Sequence, residues 1–255
     1  MLARAMVVQI RRDAFRVIRQ HDHAIASGVL AAAWIGTGAR PAPLAFEAVL
    51  GIALHDCAWR DADAAPRRDP ATGAPLSFLE HPREERLRFY AEGIDAAERI
   101  HPYAGLLASF HYAGFARDGD GKAFVRSERE RQARLCREIG IDGRTLDALR
   151  VHRLFVTLFD DLSLFACLAG PESLARPSWL LPGDVANVPD GARLRLSWRD
   201  GGMIAVDPFP FREAVDLAIP ARDLPRIRYE DDAALRRTWE GAAGIAHRVR
   251  FLPAG

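Results

Sequence analysis

Lysine is almost missing from this chain. Lys122 is its only one, so nearly all of the positive charge sits on arginine. That scarcity argues against a Schiff-base lysine and against the lysine of a phosphate-binding P-loop. Net charge is scarce too: 35 basic against 34 acidic residues leave +1, which gives no electrostatic case for nucleic acid or an anionic membrane. Cys57, Cys136 and Cys167 are odd in number, far apart and form no CxxC pair, so neither a disulfide framework nor a cysteine zinc knuckle is suggested. The apolar runs are all interrupted well short of a membrane span. The start, "MLARAMVVQIRRDAF", has no long apolar segment with a cleavage site. A soluble, cytoplasmic protein is expected.

Several familiar motifs fail on inspection. "GTGARP" has no third glycine at the dinucleotide spacing and does not follow a strand. "DGDGK", 118–122, opens like a calcium loop, but its twelfth position is Arg129, where a bidentate glutamate is required; it reads as a turn. No serine stands in a GxSxG elbow, and no cysteine has the setting of a nucleophile.

What is present is an ordinary globular composition, 49% apolar and 27% charged over 255 residues, enough for one large domain or one domain with an appendage. "MVVQI" and "AFRVI" read as a hairpin around "RRD". From residue 22 the period becomes helical: His23, Ser27, Leu30 and Trp34 share a stripe, with Asp22 as N-cap. A second helix runs from about Leu44 to the pair His55-Asp56. Residues 60–80 form a long polar loop, a length that in compact domains accompanies function or disorder. Helices are predicted at 82–100, 102–115, 125–139 and 143–170, the last so apolar that it must be central. After Pro171 the pattern turns to strands: "ARLRLSW", "MIAVDPF", "AVDLAIPARDL", "RIRYE" and "HRVRFLP", with a short helix at 232–241. The expected architecture is therefore mostly α: a helical domain over 20–170, with 1–19 and 190–255 as a small β appendage packed on it.

The chemistry concentrates in the helical part. His55-Asp56 ends a smooth apolar run, and such a pair is either a helix end or two adjacent ligands of one metal. Asp160 lies inside the most apolar helix, where an acid is costly unless paired, hydrogen-bonded or metal-bound. It shares the helix's most polar stripe with Arg153, Thr157 and Ser163, whereas Asp161 falls on a largely apolar one, about 100° away. Taken alone, His23 suits a hydrogen-bonded histidine at a helix start.

His23, His55, Asp56 and Asp160, in this order, resemble the HD superfamily of helical metal-dependent phosphohydrolases, in which a lone His, a His-Asp doublet and a distant Asp bind one divalent cation. "QHDHAIASGVLAAAW", "LHDCAW", "LLASFHYAGF", "FDDLSLF" and "VDPFPF" are similar to the motifs of an uncharacterised bacterial family of unknown function, which also favours Asp160 over Asp161. The resemblance implies a helical fold and a site for Mn, Fe, Co, Ni or Zn, ions that suit imidazole nitrogen with carboxylate oxygen.

The leading expectation is a metal-dependent hydrolase of HD type acting on a small phosphate-containing, anionic molecule. His23, His55, Asp56 and Asp160 would hold the metal. Asp56 or His111 would handle protons, and Arg153 would hold the phosphate, although a structural salt bridge explains Arg153 equally well and a core histidine explains His111. The rival expectation is a non-catalytic, metal- or ligand-binding regulatory module with the same helical core. His81 is a weaker candidate, and His101 reads as a helix-boundary residue. The C-terminal sheet would either cover the pocket or form a homo-oligomer interface.

Overall fold

The computed structural model describes residues 6–38, 44–60, 63, 66–116, 119 and 121–255. The chain opens with the hairpin β1 (Met6–Ile10) and β2 (Ala14–Arg19), closed by a hydrogen bond from Arg11 N to Ala14 O. β2 runs without a loop into α1 (Gln20–Ala33). That direct junction puts the N-cap at Arg19, so Asp22 is not the cap but an acid in the first turn, where the helix dipole favours it.

Four further helices follow α2 (Phe46–Ala53): α3 (Arg83–Ile100), α4 (Pro102–Phe115), α5 (Gly121–Ile139) and α6 (Gly143–Leu168). Their starts have local causes. His101 caps α4 by accepting from Tyr103 N, with Pro102 at the first helical position, where its missing N–H costs nothing. Asp142 and Thr145 form a reciprocal capping box on α6, which satisfies amides that would otherwise lack partners. The second half of the chain supplies β3 (Val185–Asn187), β4 (Arg193–Arg199), β5 (Met203–Asp207), β6 (Val215–Pro225), α7 (Asp232–Gly241) and β7 (Ile245–Pro253).

The protein is not mostly α. The described strands form one seven-stranded sheet in the order β1-β2-β6-β7-β5-β4-β3, curled into half a barrel. All its pairings are antiparallel except β5 with β7. The sheet is a full layer of the fold because β2 pairs with β6, Phe15 opposite Leu224 and Ile18 opposite Ala221, which joins the N-terminal hairpin to the C-terminal strands. Local alternation shows that each strand exists; it says nothing about a pairing some 200 residues apart. "RIRYE" is not a strand. The chain bends there into α7, and Tyr229 donates its hydroxyl to Pro225 O.

Alternation along the strands decides which face is buried. Val215, Leu217, Ile219 and Ala221 of β6 point inward, as do His247, Val249 and Phe251 of β7, while Arg248 and Arg250 face water. The inner face shares one apolar core with Leu30 of α1 and with Phe159, Leu162 and Phe165 of α6. Phe15, Val17 and Leu224 face the other way and pack on Leu235 and Trp239 of α7. Trp34, at the end of α1, locks the layers together. Its ring meets Phe155, Phe159 and Phe211 edge-on, and Ile35 N and Arg212 N bond across to Pro210 O and Ala33 O. Edge-on aromatic pairs add about 0.5–1.5 kcal/mol each beyond area burial. α6 is thus clamped between sheet and helices, with its polar stripe turned away from the sheet.

Candidate metal centre

α2 stops at Ala53, and Cys57–Trp59 form a single 3-10 turn. His55 and Asp56 occupy the break between them. The break is held from behind by α3: Cys57 Sγ donates to Gly93 O at 3.1 Å, and Gly93 lies so close that a Cβ there would sit 2.2 Å from Ala58 Cα. The helix end therefore turns its two polar side chains inward. Both are buried.

Three helices converge on them. α1 contributes His23, which is fully buried, α4 contributes His111 and Tyr112, and α6 contributes Asp160 and Ser163. His23 Nε2 lies 2.9 Å from Asp56 Oδ2. His55 Nε2 is 3.4 Å from Asp160 Oδ1 and 3.9 Å from Asp56 Oδ2. His111 Nε2 is 3.8 Å from Asp160 Oδ2. Two sets, His23–His55–Asp56 and His55–His111–Asp160, each offer three ligand atoms within 4.8 Å of one another, and they share His55.

The surrounding hydrogen bonds determine which ring nitrogens are free. His55 Nδ1 lies 2.7 Å from Ile52 O; a carbonyl only accepts, so Nδ1 carries the hydrogen and Nε2 faces the cluster bare when the ring is neutral. On His23, Nδ1 lies 2.9 Å from Ser163 Oγ. Ser163 donates its one hydrogen to Asp160 O and sits 2.9 Å from Ser27 Oγ, so its oxygen accepts from Nδ1–H and His23 Nε2 is left to the cluster. Outer partners of this kind fix the orientation of metal-binding imidazoles. Tyr112 donates to Asp56 Oδ1 at 3.0 Å.

Burial and mutual attraction shift the titrating groups of the cluster in opposite senses. Burial opposes ionisation of Asp56 and Asp160, yet the neighbouring imidazoles, His55 above all, hold both below the usual carboxylate range. His55 loses to burial but gains more from Asp56 and Asp160, and is raised to about 9. Burial and the nearby His55 push His111 down to about 4. Asp56 and Asp160 thus favour their charged forms beside a charged His55 and a neutral His111. Among the described residues, His55 Nε2 and Asp160 Oδ1 have no hydrogen-bond partner. A buried polar atom without a partner is costly, and a cation between these two would satisfy both.

Asp56, His111 and Asp160 form the floor of a cavity of about 790 Å³, with the fully buried His23 and His55 behind them. Arg153 lines it, with its guanidinium 3.8 Å over the Phe110 ring. Asp161 also lines it, outside both three-ligand sets, and burial together with Asp160 raises it to about 7. Trp59 is a buried wall of the cavity, not an exposed rim. Asp61 and Asp118 lie outside the described residues. Asp63 is buried and accepts from His21 N. His81 packs edge-on against Trp59 and belongs to neither ligand set, and His152 pairs with Tyr103.

Sequence reasoning passed over Tyr112, Tyr90 and Arg86. Tyr90 stacks on Tyr112 at 4.3 Å, and Arg86, one turn before Tyr90, lines the cavity with a buried Nε that has no partner among the described residues. In a chain where arginine carries nearly all the positive charge, nothing local singles Arg86 out. Tyr112 stood next to His111 and had a signal: a tyrosine inside an apolar helix needs a partner for its hydroxyl.

The model of one protein family, a protein of unknown function (DUF3891), matches residues 6–226. No curated protein and no solved structure matches the chain. No described helix is long and apolar enough to cross a membrane.

Proposed function

The chain belongs to the DUF3891 family, whose function is unknown, and from its geometry we propose that it is a metal-dependent hydrolase of the HD type acting on a phosphate-containing molecule. The observation that carries this reading is the pair of buried atoms His55 Nε2 and Asp160 Oδ1, 3.4 Å apart and satisfied by nothing but each other's charge, beside His23 Nε2 and Asp56 Oδ2. His23, His55, Asp56 and Asp160 would hold a divalent ion, Mn, Fe, Co, Ni or Zn by the donor set. Such an ion acidifies water and neutralises charge on a phosphoryl oxygen.

The remaining roles fall to the chain's own groups. Ile52 O and Ser163 Oγ fix the two imidazoles with Nε2 inward. Tyr112 steadies Asp56 from the cavity side. His111, held neutral at ordinary pH, has an imidazole able to take a proton at the cavity floor. Arg86, Arg150 and Arg153 line the walls, and Arg153 and Arg86 are the ones assigned to an anionic substrate.

The test is hydrolysis of a panel of phosphomonoesters and phosphodiesters with added Mn²⁺, with and without chelator, comparing wild type with Asp160→Asn. Turnover that needs Mn²⁺ and falls at least a hundredfold in the variant supports the reading. Stoichiometric metal binding with no turnover of any ester would replace it with a metal-binding regulatory module.

A further inference from the structure

The cavity is larger than the proposed chemistry alone requires. About 790 Å³ falls in the range of pockets that enclose drug-sized ligands, roughly 300–1,000 Å³, and a bare phosphate or a short sugar phosphate would leave most of it to water. Its long wall is one stripe of α6. Arg150, Leu154, Thr157, Asp161 and Leu164 line it beside Asp160, at helical spacings of three and four that place them on one face. At about 1.5 Å per residue, Arg150 lies roughly 15 Å along the axis from Asp160. The cavity is therefore a trough leading outward from the acidic floor.

The trough also carries exposed apolar side chains. Phe115 of α4, Leu154 of α6 and Trp179 of the segment after α6 are 59%, 55% and 46% exposed, and all three line the trough. Large exposed apolar side chains along one cavity are of the sort that marks ligand-binding grooves. At the inner end, Arg86 carries a buried Nε with no partner among the described residues. Its neighbour Tyr90 stacks on Tyr112, which donates to Asp56, so Arg86 belongs to the wall nearest the acids.

We infer that the substrate is an amphiphilic phosphate ester. Its anionic head sits at the floor between the acid–histidine cluster and Arg86, and its bulky aromatic or aliphatic body lies along the trough against Phe115, Leu154 and Trp179. Placement of the head rests on the function proposed above. Placement of the body rests on the trough alone. A hydroxyl-rich body could pair with Arg150, Thr157 and Asp161 of the same wall but would leave the three apolar side chains unused, whereas an apolar body removes their exposed surface from water.

The experiment compares two non-hydrolysable probes, (1-naphthylmethyl)phosphonate and methylphosphonate, by calorimetry on the full chain with Mn²⁺ and again in chelator. The naphthyl probe should bind roughly tenfold tighter or more, a step expected for added apolar contact in a pocket. In a Leu154→Ala, Trp179→Ala double variant the two affinities should converge. Both positions are about half exposed, so the variant is expected to fold, and its circular dichroism is checked alongside. Equal affinities in wild type, or a naphthyl preference that survives the double variant, overturn the inference. Mn²⁺ is titrated separately. If no Mn²⁺ binds, the hydrolase reading fails, while a naphthyl preference lost in the variant, measured in chelator, still upholds the apolar trough.

Discussion

Gly93→Ala adds one methyl group where α3 crosses the turn behind Asp56. An ideal Cβ there would stand 2.2 Å from Ala58 Cα, 2.3 Å from its Cβ and 2.5 Å from its N, against an ordinary contact of 3.4–4 Å. No side-chain rotation relieves this, because the atoms struck are backbone or Cβ. The turn or the helix must retreat by roughly 1 Å, and overpacking of this kind costs about 1–3 kcal/mol. A retreat of the turn moves Asp56 with it. Its contacts to His23 Nε2 at 2.9 Å and Tyr112 OH at 3.0 Å would then leave hydrogen-bonding range, which ends near 3.2 Å. The assay is urea unfolding together with Mn²⁺ titration, and both stability and metal affinity should fall. Gly114→Ala is the control. Its added Cβ meets nothing within 4 Å, and alanine is the better helix former by up to about 1 kcal/mol, so stability should hold or rise. If Gly93→Ala unfolds within about 0.5 kcal/mol of wild type and binds metal as well, the claim that α3 sets the position of the His-Asp turn is wrong.

Other consequences are open to measurement. Tyr112→Phe keeps the stack on Tyr90 but removes the hydroxyl donated to buried Asp56, and should cost about 1.5–3 kcal/mol in the metal-free protein, the range for a hydrogen bond to a charged group; an unchanged urea midpoint would show that Asp56 does not depend on it. Asp142→Ala abolishes the capping box of α6 and should lower the urea midpoint without touching metal affinity, so a loss of metal would contradict the assignment of Asp142 to the cap alone. In chelator, His55 has its folded value raised to about 9, so its stabilisation is fully present below its unfolded value of about 6.5 and is lost as pH rises through about 9. Urea midpoints of the metal-free protein should therefore fall over that window more steeply than those of His55→Gln. Parallel curves would rule out the imidazolium between two carboxylates.

The site was more legible in the sequence than the fold. His23 with Ser27, and Asp160 with Ser163, stand out because a helix brings residues three and four apart to one face, and an acid in an apolar helix must be explained. The same logic separated Asp160 from Asp161, which the structure leaves outside both ligand sets. The sheet was misjudged in extent because its size comes from β2 pairing with β6, a contact without local signature. The end of α2 was misplaced by two residues for a related reason: the break at His55-Asp56 is imposed by Gly93 on a distant helix. Arg86 stayed hidden because its significance lies in its place on the cavity wall beside Tyr90, which is visible only in three dimensions.

The central claim is that two imidazoles and two carboxylates form a divalent-metal site. It is tested most directly by elemental analysis of protein purified without chelator or affinity nickel, measured beside Asp56→Ala. The account predicts Mn, Fe, Co, Ni or Zn near one equivalent or above in wild type and its loss in the variant. No metal in either protein, even after incubation with Mn²⁺ and Zn²⁺, would contradict it and leave the cluster as a buried imidazolium–carboxylate network.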